Sequence, residues 1–191
     1  MSANSRRFAT RAGEKLDAAL EAFAIDPAGG VCADFGCNVG GFTDCLLRRG
    51  AARVYAVDTG YGQLAWRLRK NPRVVVMERT NALYVDPPEK ADLVVIDVAW
   101  TPQELIVPAA VRWLGGRAGR IVSLLKPHYE LTKMVGRKPP AALSLRQARQ
   151  VCLDVARRLH DRSCRVLAAL PSCLRGKGGN AEFFLLIAPP D

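Results

Sequence analysis

The chain has 191 residues, 49% hydrophobic and 24% charged, enough for one packed core and too apolar for a disordered segment. Lysine and arginine total 28 against 18 acidic residues, a net charge of +10, which favours an anionic partner, nucleic acid first. Aromatic residues make up only 7%, which excludes a broad base-stacking platform.

Residues 1–7 are polar, and a flexible stretch over 1–10 is expected to precede one folded domain, 11–191. Residues 11–23 place Leu16, Ala19, Leu20 and Phe23 on one helical face. A turn at 26–30 leads to a strand at 31–35, with Asp34 near its end. A glycine-rich loop, 36–41, opens a helix at 42–49 that Gly50 closes. A second strand, 53–57, ends on Asp58, and a helix at 63–70 stops before Pro72. Strands follow at 74–77, 93–97 and 120–126, with a helix at 102–114 between the last two. Residues 133–140 are basic and hold prolines, and read as a mobile loop. Ser144 caps a helix running to about His160, with Leu145, Ala148, Cys152, Val155 and Leu159 as its buried stripe. Strands at 164–170 and 182–187 flank a basic turn at 175–180. Alternating strands and helices predict an α/β fold with a largely parallel sheet.

Three of these strands meet a charge at one end. Leu93-Val94-Val95-Ile96 runs into Asp97, Ile121 to Leu125 runs into Lys126, and Glu182 opens Phe183 to Ile187. Ligands of open α/β sheets bind beyond the carboxyl ends of the strands. An antiparallel last strand brings its beginning to that same edge, so Asp97, Lys126 and Glu182 are expected to share one crevice.

Asp34-Phe35-Gly36-Cys37-Asn38-Val39-Gly40-Gly41 joins a strand to a helix, and Asp58 follows at the end of the next strand. That arrangement suits a nucleoside, whose ribose hydroxyls an acidic side chain binds. A dinucleotide needs glycine two residues after the first, for close approach to a pyrophosphate. Here that residue is Asn38, so S-adenosylmethionine fits better than NAD. A tight turn beside a surface aspartate is the plain alternative.

Six segments in order carry a resemblance: Arg11-Ala12-Gly13-Glu14-Lys15-Leu16, Gly36 to Asp44, Val57 to Leu64, Glu78-Arg79-Thr80-Asn81, Val95-Ile96-Asp97-Val98 and Lys126-Pro127-His128-Tyr129-Glu130. Over about residues 9–187 the chain resembles the FtsJ-like ribose methyltransferases, most closely their TlyA (hemolysin A) branch. The resemblance implies a single-domain Rossmann-like methyltransferase with a seven-stranded, mostly parallel sheet, an antiparallel last strand and helices on both faces. It implies S-adenosylmethionine as cofactor, no metal, and transfer to ribose 2′-hydroxyls of RNA, ribosomal RNA or a ribosomal particle above all. The family's Lys-Asp-Lys-Glu tetrad falls on Lys15, Asp97, Lys126 and Glu182. Lys15 enters only this way, because a lysine on the polar side of a helix otherwise reads as solvated.

By the same resemblance, Asp34, Gly36, Cys37, Asn38, Gly40, Gly41, Phe42, Asp58, Asn81 and Asp97 hold the cofactor. Asp34 is expected near its ammonium, Asp58 at its ribose and Asn81 at its adenine, with Tyr61 and Leu64 as walls. Lys126 would manage the acceptor's proton, with Lys15 beside it and Asp97 and Glu182 orienting both ammonium groups. Lys133, Arg137, Lys138, Arg175 and Lys177 are candidates for phosphate contacts. The branch carries a small N-terminal RNA-binding domain where about ten residues stand here, so RNA docking is expected to fall to this core or to a partner. Ala99-Trp100 and His128-Tyr129 replace its usual Ser-Phe and Gln-Phe.

Two further readings stand beside this one: a non-catalytic RNA-binding module of the same fold, and a methyltransferase for DNA or a small molecule. An NAD-linked oxidoreductase is disfavoured by Asn38. Six cysteines and two histidines show no metal-knuckle spacing, and Cys32, Cys45 and Cys152 read as core residues. No run is long enough to cross a bilayer, and no signal core opens the chain, so the cytoplasm is expected.

Overall fold

Short runs of valine, isoleucine and leucine pair side by side because each is apolar on both faces. The computed structural model describes residues 7–136 and 142–190. Its strands are β1 (Val31–Phe35), β2 (Arg53–Val57), β3 (Val74–Met77), β4 (Leu93–Ile96), β5 (Arg120–Leu125), β6 (Arg165–Pro171) and β7 (Phe183–Ala188). They form one seven-stranded sheet in the order β3-β2-β1-β4-β5-β7-β6. β1 to β5 run parallel, and β7 lies antiparallel between β5 and β6. The α/β class and the reversed last strand agree with expectation. The strand order turns back between β1 and β4, which is where such sheets open a binding crevice.

The helices are α1 (Arg11–Ala22), α2 (Gly41–Arg48), α3 (Trp66–Arg69), α4 (Gln103–Val111), α5 (Pro127–Val135) and α6 (Leu145–His160). On one face of the sheet, Leu16, Leu20, Leu46 and Leu68 pack on Val54, Val95 and Phe184. On the other, Ile106, Val155 and Leu159 pack on Phe35, Val94 and Ile121. There Trp113 is fully buried, edge-on to Phe35 at 5.3 Å and to Tyr55 at 5.8 Å.

Several local expectations need correction. Order begins before residue 11: Phe8 is buried, the Ala9 N–H donates to Asp44 Oδ2 at 2.8 Å, and Thr10 caps α1. The helix expected at 63–70 is the single turn α3, because the Ala65 N–H is drawn to the Val39 carbonyl at 3.1 Å. The expected loop at 133–140 starts inside α5, which Pro127 opens at its first turn and Gly136 closes at φ +65°. In α6 Leu145 is exposed and Val151 is buried in its stead.

Candidate active site

The loop after β1 builds the floor of the site. The Gly36 and Cys37 N–H groups both donate to the Val57 carbonyl, at 2.9 and 3.2 Å. Gly36 has φ +86°, and a Cβ there would lie 2.6 Å from the Asp97 carbonyl oxygen. Only glycine lets the chain turn this closely over β4. The space kept open belongs to a cavity of about 360 Å³, whose lining includes Gly36, Asn38, Asp58, Asn81, Asp97 and Lys126. A smaller one of about 130 Å³ shares Gly36, Asn38 and Asp97 with it and adds Thr10, Cys37, Gly41 and Phe42.

Asp58 is aimed by the backbone. Its Oδ2 accepts from the Asn38 N–H at 2.8 Å and its Oδ1 from the Gly60 N–H at 2.7 Å. Each carboxylate oxygen keeps a second lone pair for a hydroxyl in the cavity. Asn81 Oδ1 accepts from the Leu83 N–H at 3.0 Å, which leaves the amide NH₂ as its free donor. A paired acceptor at one side, a donor at the other and a glycine cradle between them fit a nucleoside with an amino-acid tail.

The two lysines form two ion pairs. Lys126 Nζ closes on Asp97 Oδ1 as a charge contact rather than an aligned hydrogen bond. Lys15 Nζ donates to Glu182 Oε2 at 2.6 Å, with both side chains nearly buried. Gly176 leaves room for that second pair: a Cβ there would sit 2.1 Å from Glu182 Oε1. The β5–β7 register sets Leu125 opposite Phe183, and Lys126 and Glu182 therefore leave the ladder opposite each other. The pairs meet at one sheet edge, Lys126–Asp97 on the cavity wall and Lys15–Glu182 alongside. Burial holds the neighbouring His128 below the usual imidazole range; Glu182 opposes this and Lys126 adds to it.

Other expected residues lie elsewhere. Asp34 is completely buried under the loop and lines neither cavity; its Oδ2 accepts from the Thr43 hydroxyl at 2.7 Å. Burial pushes its carboxyl up to about 7, the Thr43 bond opposes this, and nearby Asp97 adds to it. Gly40 packs under Leu64 and Leu68. Leu64 is therefore core, and Tyr61 is exposed against Arg79, so neither lines a cavity. Lys133 belongs to α5 and donates to the Ala99 carbonyl at 3.2 Å. Arg175 closes its own turn on the Gly179 carbonyl at 3.2 Å. Arg137, Lys138 and the Lys177 side chain lie outside the described residues. Thr10, Thr59, Thr80, Trp100 and Ile106 line the cavities without having been singled out as lining residues. Thr59 and Thr80 stand within the segments that carry the family resemblance, and Thr10 and Trp100 beside them, whereas nothing in the local pattern marks Ile106.

The chain is similar to known proteins in sequence and in fold. The chain is 45% identical over 189 residues to the Mycobacterium tuberculosis 16S/23S rRNA (cytidine-2′-O)-methyltransferase TlyA, covering 95% of this chain and 69% of that one. It is 38% identical over 128 residues to hemolysin A of Brachyspira hyodysenteriae, covering 65% of this chain and 53% of that one. A solved Streptococcus thermophilus structure named as a hemolysin superposes with a TM-score of 0.87 at 31% identity, over 100% of this chain and 70% of that one. No helix among the described residues is long and apolar enough to cross a membrane. The family model for FtsJ-like methyltransferases matches residues 8–188, and the chain belongs to that family of S-adenosylmethionine-dependent enzymes.

Proposed function

We propose that this protein is a ribose 2′-O-methyltransferase acting on RNA, ribosomal RNA or a ribosomal particle first, in the cytoplasm. The observation that carries the reading is the Lys126–Asp97 pair on the cavity wall, set opposite the Lys15–Glu182 pair in the β5–β7 register. The rRNA (cytidine-2′-O) activity named for the relative from M. tuberculosis supports a ribose acceptor.

When bound, S-adenosylmethionine supplies a methyl group already activated on a sulfonium. The chain must hold the donor, align an oxygen with it and manage one proton. Asp58 would accept the ribose hydroxyls, Asn81 would donate to the adenine, and the loop from Gly36 to Phe42 would bed the amino-acid tail. Lys126 would meet the acceptor hydroxyl and stabilise the negative charge that grows on its oxygen as the proton leaves to water. Asp97 aims Lys126. Lys15, fixed by Glu182, adds positive potential at the same edge.

The test is transfer of a labelled methyl group to ribosomal RNA, read together with calorimetric cofactor binding. Lys126→Ala is expected to lower transfer by about 100-fold or more, the usual weight of one group that stabilises developing charge, with cofactor affinity nearly unchanged. Transfer at the wild-type rate in that variant overturns the assignment. Methyl label on a base rather than on ribose overturns the acceptor.

A further inference from the structure

Tyr61 and Trp66 are 67% and 69% exposed. A single exposed aromatic is ordinary. Here each ring carries a cation: the Arg79 guanidinium stands 4.2 Å from the Tyr61 ring centre, and Lys70 Nζ stands 4.6 Å from that of Trp66. The cations of this region divide into two kinds. Arg67 and Arg69 are spent on the buried carboxylates of Asp44 and Glu78. Lys70 and Arg79 have no carboxylate partner among the described residues, so their charge is left for an outside ligand.

The place matters as much as the composition. Tyr61 and Trp66 lie on the segment between β2 and β3, which leaves the sheet at Asp58 on the cavity wall, and Arg79 lies just after β3 beside that same wall. Thr59 and Thr80 line that cavity, the Thr80 N–H donates to the Asp58 carbonyl at 2.9 Å, and the Arg79 N–H donates to the Gly60 carbonyl at 3.0 Å. Arg79 is held there at φ +52°, a left-handed conformation that costs a non-glycine residue energy and persists only where the surroundings impose it.

Unpaired RNA presents what such a surface can take. Its splayed bases stack on aromatic rings and guanidinium planes, and its phosphates pair with free cations. We propose that Tyr61 with Arg79 and Trp66 with Lys70 form a docking surface for unpaired RNA that flanks the target nucleotide, on the Asp58 side of the cavity and across β1 and β4 from Lys126. The proposal rests on the ribose-methyltransferase reading of the cavity, because that reading brings RNA to this protein. Two rings do not make the broad platform that the composition excludes; they provide stacking for a base or two. Aromatic and basic side chains also suit an anionic lipid surface, but a membrane does not account for Tyr61 and Arg79 standing beside the Asp58 wall of a nucleoside cavity.

The test uses the full chain, a short fluorescein-labelled unpaired RNA of mixed sequence and, separately, phosphatidylglycerol vesicles. Tyr61→Ala and Trp66→Ala are each expected to weaken RNA binding by about tenfold, within the range for a lost base stack. Trp66→Phe should retain most of the affinity. Cofactor affinity and the thermal midpoint should not move in any of these variants. Intrinsic fluorescence should be quenched by RNA in the wild type and much less in Trp66→Phe, a signal that a merely structural role would not produce. Lys70→Gln and Arg79→Gln should each flatten the logarithmic salt dependence by about 0.7. RNA affinity unchanged in both alanine variants overturns the proposal. So does Trp66-dependent binding to vesicles with none to RNA. A wild-type chain that binds RNA through these rings but fails to bind S-adenosylmethionine would instead overturn the reading of the cavity.

Discussion

Asp97 does two jobs at once, and the site depends on both. Its carbonyl packs under Gly36 and its carboxylate pairs with Lys126, so it ties the floor of the cavity to the ion pair on its wall. Gly36→Ala tests the first tie. A Cβ 2.6 Å from the carbonyl oxygen, at a positive φ, is expected to destabilise the fold by about 2 kcal/mol and to weaken cofactor binding, measured by urea unfolding and calorimetry. Asp97, Lys126 and Glu182 were legible in the sequence because a charge at the end of an apolar strand has few structural uses. Lys15 was not legible in its own pattern: its burial against Glu182, 167 residues away, is a tertiary fact. Asp34 sat at an equally suggestive strand end, yet its carboxylate turns inward to Thr43.

At the level of elements, the sheet was legible almost strand by strand, since runs of four to seven residues bounded by turns leave little choice of register. The helices were legible where a cap announced them. Ser144 and Gln147 form a reciprocal capping box at the start of α6, and Ser144→Ala is expected to cost about 1 kcal/mol, seen as a lower thermal midpoint with methyl transfer unchanged. α5 was missed because its signal is Pro127 directly after a strand, and Lys133 in its last turn read as the start of a basic loop. The single turn of α3 was overestimated for the opposite reason: helical spacing was present, but a tertiary hydrogen bond to Val39 takes the Ala65 N–H. Cavity linings such as Ile106 belong to no local pattern at all, because the fold alone brings them together.

For the molecule as a whole, Asp34 sets a dependence of stability on pH. Its folded value of about 7 lies above the ordinary 3.8 because the carboxyl is buried. Below about pH 4 both folded and unfolded states are protonated there. As pH rises the unfolded state gives up the proton first, so this group erodes stability up to about pH 7 and no further beyond it. Asp34→Asn should remove that slope, with urea midpoints of variant and wild type diverging in the variant's favour as pH rises through this window. A parallel slope in both proteins would refute it. The sheet carries a separate consequence. β7 comes last in the chain yet lies between β5 and β6, and the Lys15–Glu182 bond joins residues 167 apart. During synthesis, the flank of β5 stays uncovered until β7 has left the ribosome. The half-built protein therefore passes through a period as an apolar, unpaired edge, vulnerable to association with its neighbours, and without the Lys15–Glu182 half of its site.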